Sequence, residues 1–420
     1  MLEALLRGMG WDVSDMERYF CQLHSSSSSE DMEVDVDGDQ DHYNESTELI
    51  PGLAEDIALE CLLKVSYKCH PCLRKVCRRW EKEVTDPVFY RERKKAGTTR
   101  HCVCMVQALP EAPGGMNNKP KDAAATTVYG ISMYDLEQRT WERLPMIPDF
   151  PQGLPFFCRL MSLHDKLIVL GGWHPSTWEA LRSTYVFTFS TQRWSRGADM
   201  PRVRSFFACG VIGSSILVAG GHDDNKTALS TADVYDLETD RWETLPNMSE
   251  ERDECAGVVL DGKFFVISGY GTNSQGQFVS STDIFDPATG NWSRVNEMWT
   301  MDGGSCLSGG YAVARGELYA FQRQSLVRYC PLRNAWSVVD TVIPEATRVS
   351  LCATAVNDQL LFVMGSGSCK AECRGLIYRP SPSPPQEENN NNEKSCGIWQ
   401  TIEFSEEFSG VAQSSCSVEI

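Results

Sequence analysis

Cysteine and histidine are the side chains in this sequence best equipped for bond chemistry, and their spacing argues against it. "CHPC" sets Cys69 beside Cys72, and "CVC" sets Cys102 beside Cys104. A zinc site needs four such ligands converging, usually through a second CxxC or an HxxxH pair. No second pair stands at finger spacing, so no metal is expected. The 17 cysteines, at core-like positions such as Cys209, Cys255 and Cys352, read as reduced, buried thiols. From residue 101 onward only His101, His164, His174 and His222 occur, again without metal-like spacing. GxSxG, P-loop, GxGxxG and HExxH are all absent, so no catalytic residue and no cofactor is expected. What remains is recognition chemistry: Trp173, His174, Trp178, Arg204, His222, Asp223, Asp224, Arg252, Asp253, Tyr270, Asn273 and Gln275. Mixed aromatics, arginine and amides of this kind suit a protein-binding surface.

The elements that must carry those residues are written in a repeated phrase. "ISMYDLEQRTWERLP", "TADVYDLETDRWETLP" and "STDIFDPATGNWSRV" each put an aromatic seven residues before a tryptophan. Trp141, Trp194, Trp242, Trp292, Trp336 and Trp399 mark six units, separated by 53, 48, 50, 44 and 63 residues. Tyr134, Phe187, Tyr235, Phe285 and Tyr329 are the paired aromatics, and Tyr378 lies 21 residues before Trp399. The 14 extra residues fall in "PSPSPPQEENNNNEKS", whose composition predicts an exposed loop insertion. A period near 50 residues with a Trp-centred phrase predicts a propeller-type array.

Each unit reads as four short strands. In the unit ending at Trp242 these are "SFFACGVI", "SILVAGG", "ADVYDL" and the start of "RWETLP". The paired glycines would allow close backbone packing and a positive φ at the strand exit. The pattern resembles the kelch repeat. Gly171-Gly172 and Gly220-Gly221 are full double-glycine matches, Ser268-Gly269 and Met364-Gly365 are partial, and the fifth unit lacks the pair. The resemblance implies a mainly β fold, a six-bladed kelch propeller over residues 100–420. "HCVCMVQAL" begins the first unit with no strand before it, and "FSGVAQSSCSVEI" at 408–420 looks like the missing one. Pairing them would lock the ring. The loops after the second strands (173–183, 222–230, 270–280) and those between blades (145–157, 197–204, 246–253, 297–307) are expected to share one rim and present the recognition residues. The competing use of the same residues is structural. Asp223, Asp224 and Asn273 could shape turns, and Arg204, Arg252 and Asp253 could form ion pairs between blades.

Ahead of the repeats, residues 49–95 read as a small all-α module. Ile57, Leu59, Cys61, Leu62 and Val65 have helical spacing, as do Leu73, Val76, Cys77 and Trp80 beyond a break at His70-Pro71. The module is too small to bury a good core alone, which predicts a partner. It resembles an F-box, from Ile50-Pro51 and Leu53 to "VCRRW", with departures at Gly52 and Ala54. That resemblance implies docking to a Skp-type adaptor, and through it a cullin, by Pro51, Leu53, Ile57, Ala58, Leu62, Val76, Cys77 and Trp80. The alternative is a helical cap on the propeller.

Residues 1–48 hold "SSSSS" and then nine acidic residues between Glu30 and Glu48 with no Lys or Arg, a composition that predicts disorder. The net charge of −18 argues against nucleic acid or anionic membrane as partner. No apolar run reaches the roughly 18 residues a bilayer span needs, and the N-terminus does not read as a secretory signal. A cytoplasmic or nuclear location is expected. The two modules together resemble the plant kelch-repeat F-box proteins. "GLAEDIALECL", "RSFFAC", "VAGGHDD", "ERDEC" and "SGYGTNSQGQF" look like the members that target phenylalanine ammonia-lyase for ubiquitination. Related members bind cytokinin response regulators or wax-biosynthesis enzymes. A non-ligase scaffold, or a kelch oxidase with copper on His and Tyr, are the rival expectations.

Overall fold

The computed structural model describes residues 48–110, 127–299, 310–322, 325–341, 351–365, 373–380 and 397–420. The expected disordered segment, apart from Glu48, and nearly all of the Pro/Asn-rich insertion lie outside the described residues. The chain divides near Arg100 into a helical unit and a β unit.

In the helical unit, α1 spans Glu55–Leu63, α2 His70–Leu73, α3 Arg78–Thr85 and α4 Pro87–Lys95, with a 3-10 turn at Tyr67–Cys69. Leu49, Ala58, Leu62, Leu73, Val84 and Phe89 form its core. The helical spacing of Leu73, Val76, Cys77 and Trp80 spans two helices, not one. Leu73 ends α2, and Cys77 turns extended (φ −160°) to cap α3, its sulfur accepting from the Trp80 amide. The all-α module expected over residues 49–95 also holds α4, whose Asp86 cap accepts from the Val88 amide and whose Pro87 suits the first helical turn.

The β unit contains six four-stranded antiparallel sheets, the expected six blades. Blade I joins Ala412–Glu419 to His101–Ala108, Tyr129–Asp135 and Thr140–Arg143. Blades II to VI take residues 159–197, 208–245, 256–295, 311–340 and 351–402 in order. The last strand does close the first blade: Cys104 stands opposite Cys416 and Val106 opposite Ser414.

The tryptophans join the blades by more than apolar area. Each indole Nε1 donates one blade back: Trp194 to the Pro145 carbonyl (2.8 Å), Trp242 to Ala198 (2.9 Å), Trp292 to Pro246 (2.7 Å) and Trp336 to Met298 (2.6 Å). Trp399 donates to the Asp340 carboxylate (2.9 Å), and Trp141 crosses the closure to the Glu403 carbonyl (3.4 Å). The paired aromatics lie against these indoles, as in Tyr235–Trp242 at 4.9 Å between centroids. Six repeats of one phrase thus supply six copies of one joint.

The double glycines act as expected. Gly171 and Gly172 have φ +55° and +90°, Gly220 and Gly221 +68° and +81°, and a side chain on Gly172 would meet the Phe156 carbonyl at 2.5 Å. In blade IV the first position is Ser268, held at φ +59° with its buried hydroxyl lacking a hydrogen-bond partner. A left-handed non-glycine residue and an orphan hydroxyl each cost on the order of 1 kcal/mol. Ser268→Gly is therefore expected to raise stability by about 1 kcal/mol after the added chain entropy of glycine is subtracted, readable as a higher denaturation midpoint.

Candidate functional site

Two surfaces carry the expected sites, and each is built within its own unit. In the helical unit Pro51, Val76 and Cys77 are exposed, and Leu53, Ile57 and Trp80 are half-buried. Val76 is 50% exposed and stands next to exposed Cys77. Ala58 and Leu62, expected to face the adaptor, are instead core residues at 0% and 2% exposure. Their small and branched side chains let α1 pack on Leu73 and Phe89. They hold the docking face and do not form it. Trp80 is anchored by its Nε1, which donates to the Leu49 carbonyl (2.6 Å).

Arg93 ties the module together from inside. It is 3% exposed and donates to the carbonyls of Leu63 (2.9 Å), Val65 and Thr98 (3.1 Å), so its charge sits at the C-terminal end of α1. His70 lies 3.3 Å from it, and burial, reinforced by the Arg93 charge, pushes the imidazole down to about 3. The unfolded chain therefore binds the extra proton between about pH 6.5 and 3, and stability falls as pH drops through that window. Going from pH 7.5 to 5.5 should reduce hydrogen-exchange protection in α1 by about tenfold after correction for intrinsic rates. His70→Gln should abolish the difference.

In the β unit the loops after the second strands do meet the loops between blades. Trp173, His222 and Tyr270 occupy the same repeat position and bridge back to Phe156, Ser205 and Asp253. Trp173 Nε1 donates to His222 Nε2 (3.2 Å), which leaves the proton on Nδ1 to be donated to Asp253 Oδ1 (2.8 Å). Tyr270 donates its hydroxyl to Glu254 (2.8 Å), with burial and that carboxylate pushing its phenol up. A chain of polar contacts thus crosses blades II, III and IV. Asp224 adds another link, accepting from the Ala180 amide of blade II (2.8 Å).

Over this chain lie aromatic rings. Trp178 is 53% exposed and stacks on Phe156 at 5.0 Å between centroids. Trp173 lies edge-on to both Trp178 and His222, and Lys226 sits over its ring at 5.4 Å. Phe157 and Phe206 contact each other at 4.2 Å. Sequence reasoning missed these two, although the doubled phenylalanines of "PFFC" and "SFFA" were a signal. Phe157, Phe206 and Glu254 share one repeat position at φ +56°, +56° and +50°, and Trp178 has φ +61°. Bulky residues in the left-handed region are uncommon and cluster where function holds them.

Other expected rim residues prove to be internal fittings. Arg204 and Arg252 are fully buried, so they offer no surface for a partner. Arg252 donates to Asp283 (2.7 Å), to the Ser268 and Ser281 carbonyls and to the Ser281 hydroxyl. Arg204 makes the same set with Asp233, Gly220 and Thr231. Each pair ties an interblade loop to the third strand of the blade that follows it, and Asp253 pairs with His222, not with arginine. Asp223 accepts from the Asn225 and Thr227 amides and His174 from the Ser176 and Thr177 amides, both shaping their own turns. Asn273 and Gln275 are exposed on the 270–280 loop. Among the described residues no group of three or more His, Cys, Asp or Glu side chains gathers where a metal could sit, and no helix is long and apolar enough to cross a membrane.

Comparison with known proteins matches both units. The F-box domain model covers residues 50–92, and the KLHDC2/KLHL20/DRC7 Kelch-repeats domain model covers residues 100–321. The chain is 40% identical over 326 residues to the F-box/kelch-repeat protein At1g80440 of Arabidopsis thaliana, covering 77% of this chain and 90% of that one. It is 36% identical over 384 residues to the F-box/kelch-repeat protein At1g15670 (89% and 100%). To the F-box/kelch-repeat protein SKIP20 it is 33% identical over 422 aligned positions (89% and 97%), both relatives again from Arabidopsis thaliana.

Proposed function

This chain belongs to the plant F-box/kelch-repeat family, and from that premise we propose that it is the substrate-recognition subunit of an SCF-type (Skp–cullin–F-box) ubiquitin ligase. The F-box over residues 50–92 carries this reading, because its exposed Pro51, Val76 and Cys77 leave an apolar face for a Skp-type adaptor. The propeller rim of blades II to IV then takes the target. The chain contributes no bond chemistry of its own. It holds the target beside a ubiquitin-charged enzyme, so that attack by a target lysine becomes effectively intramolecular.

For the target we propose phenylalanine ammonia-lyase, which would make the chain a negative regulator of phenylpropanoid synthesis in the cytoplasm or nucleus. Support comes from the resemblance of its phrases, "RSFFAC" and "VAGGHDD" among them, to members with that target. Those phrases include Phe206, half-buried on the rim, and His222, buried beneath it with its ring 5.5 Å from that of Phe206.

The test uses full-length protein. Pro51→Ala/Leu53→Ala is expected to weaken capture of a Skp adaptor at least tenfold while leaving the rim intact. Trp178→Ala/Phe157→Ala is expected to keep the adaptor and weaken phenylalanine ammonia-lyase capture at least tenfold, as loss of aromatic hot spots does. Wild-type protein that captures no Skp adaptor removes the ligase reading. Ammonia-lyase levels unchanged in plants lacking the chain remove that target.

A further inference from the structure

The turn between the third and fourth strands follows one rule in four blades. In blade III the Tyr235 hydroxyl donates to Asp240 (2.6 Å), five residues on, and Asp240 also accepts from the Ala198 amide (2.7 Å). In blade V the Tyr329 hydroxyl donates to Asn334 (2.9 Å), again five residues on. Blades II and IV have no hydroxyl to satisfy, with Phe187 followed by Gln192 and Phe285 followed by Gly290. Tyrosine thus comes with an acceptor, and phenylalanine without one.

Blade I breaks the rule. Tyr134 has the hydroxyl, but the residue five on is Arg139, a donor that cannot accept. Arg139 holds the same left-handed turn position as Asp240 and Asn334, at φ +55° against +52° and +44°. The place where the repeat ordinarily puts an acceptor oxygen is therefore left to something else, with a guanidinium added beside it.

That place opens into a cleft of about 180 Å³ between blades I and VI, lined by Tyr134, Arg139, His101, Arg379, Gln359 and Gln400 among others. Arg379 is oriented by Gln359 (3.0 Å) and Gln400 (3.4 Å). Glu137 is the one carboxylate among the lining residues, against two arginines, in a chain whose net charge is −18. We propose that this cleft binds a small oxyanion, a carboxylate or a phosphate monoester, whose oxygen takes the acceptor position that Asp240 fills in blade III. The Tyr134 hydroxyl would donate to it, and the Arg139 and Arg379 forks suit the two-oxygen edge of either group. The cleft is formed by first-to-second and third-to-fourth strand turns, so it is separate from the aromatic rim.

Calorimetric titration of the full chain with succinate and with inorganic phosphate tests the assignment, and the stronger of the two identifies the oxyanion class. Arg139→Asp restores the repeat's own acceptor to Tyr134. It is expected to weaken binding of the preferred anion at least tenfold with an unchanged or higher melting temperature. Arg379→Gln, which removes charge but not the amide network's reach, should weaken it severalfold, and added salt should weaken the wild type. Equal binding by wild type and Arg139→Asp, or no heat with either anion at about 10 mM, overturns the proposal.

Discussion

Deletion of residues 408–420 should unfold the propeller under conditions where the full chain is stable. The segment supplies the strand Ala412–Glu419, and with it seven of the cross-strand pairs that complete blade I. It also carries the latch around it. Gln107 is fully buried and donates to the Phe408 and Gly410 carbonyls while accepting from Ser132. Trp141 stacks on Phe408 at 5.3 Å and packs on Phe404 at 4.6 Å, and Arg143 lies over the Phe408 ring at 4.6 Å. The deletion strips the ladder from His101–Ala108, strands the Gln107 amide and exposes the closing face of blade VI, where Ala412 packs with Cys352 and Ile377. Losing a buried Phe and Val costs about 1.5–3 kcal/mol each. A stranded polar group costs about 1–3 kcal/mol, and several ladder bonds add to that. The sum approaches the whole stability of a typical domain, about 5–15 kcal/mol. The expected result is loss of soluble protein or a fall of the melting temperature by more than about 10 °C. A truncated chain that melts with the full-length protein would show that the ring does not depend on this strand.

Closure was legible in the sequence because it is a counting problem. The first unit lacked one strand and the tail had one to spare, and the tail strand alternates between buried and half-buried positions. The blades were legible for a similar reason, since Trp and the double glycines stand where few other residues can. The helical module was half legible. Leu73, Val76, Cys77 and Trp80 keep a helical spacing although only Leu73 and Trp80 meet the core, and that spacing carries no sign of the extended Cys77 that separates the two helices. The rim was legible as a region and poorly as a list. Arg204 and Arg252 stand in loops, where charge ordinarily faces water, and their partners Asp233 and Asp283 lie about thirty residues away. The signal was an Asp at a strand position that alternation assigns to the interior, in both "ADVYD" and "TDIFD". Blade II completes the argument, because Pro155 and Tyr185 replace both members of the pair at once.

Arg252→Ala should therefore destabilise the fold far more than an ordinary loop substitution, and Asp283→Asn should do the same. Neither Arg252 nor Asp283 touches water appreciably, at 0% and 1% exposure. Burial pushes the Asp283 carboxyl up, but hydrogen bonds from Arg294 and the Arg252 charge outweigh it and hold the group below its ordinary value. Its folded form is thus the carboxylate, and the stability tied to that charge is present at neutral pH and lost as pH falls through the folded value. Removing Arg252 leaves this carboxylate with the more exposed Arg294 and the Ser249 hydroxyl, takes the Arg252 donor from the Ser268 carbonyl, and leaves the Ser281 carbonyl with the Ser268 amide alone. Breaking one partner of a buried pair costs about 3–5 kcal/mol, or roughly 10 °C of melting temperature at about 2–4 °C per kcal/mol. Removing both partners, as Arg252→Met/Asp283→Leu, leaves no orphan charge on that pair and should cost less than the two single changes added together. Additive single changes would mean that Arg252 acts through the carbonyls alone. A melting temperature unmoved by Arg252→Ala would mean that it is not an internal strut, and would return it to the rim as a binding residue.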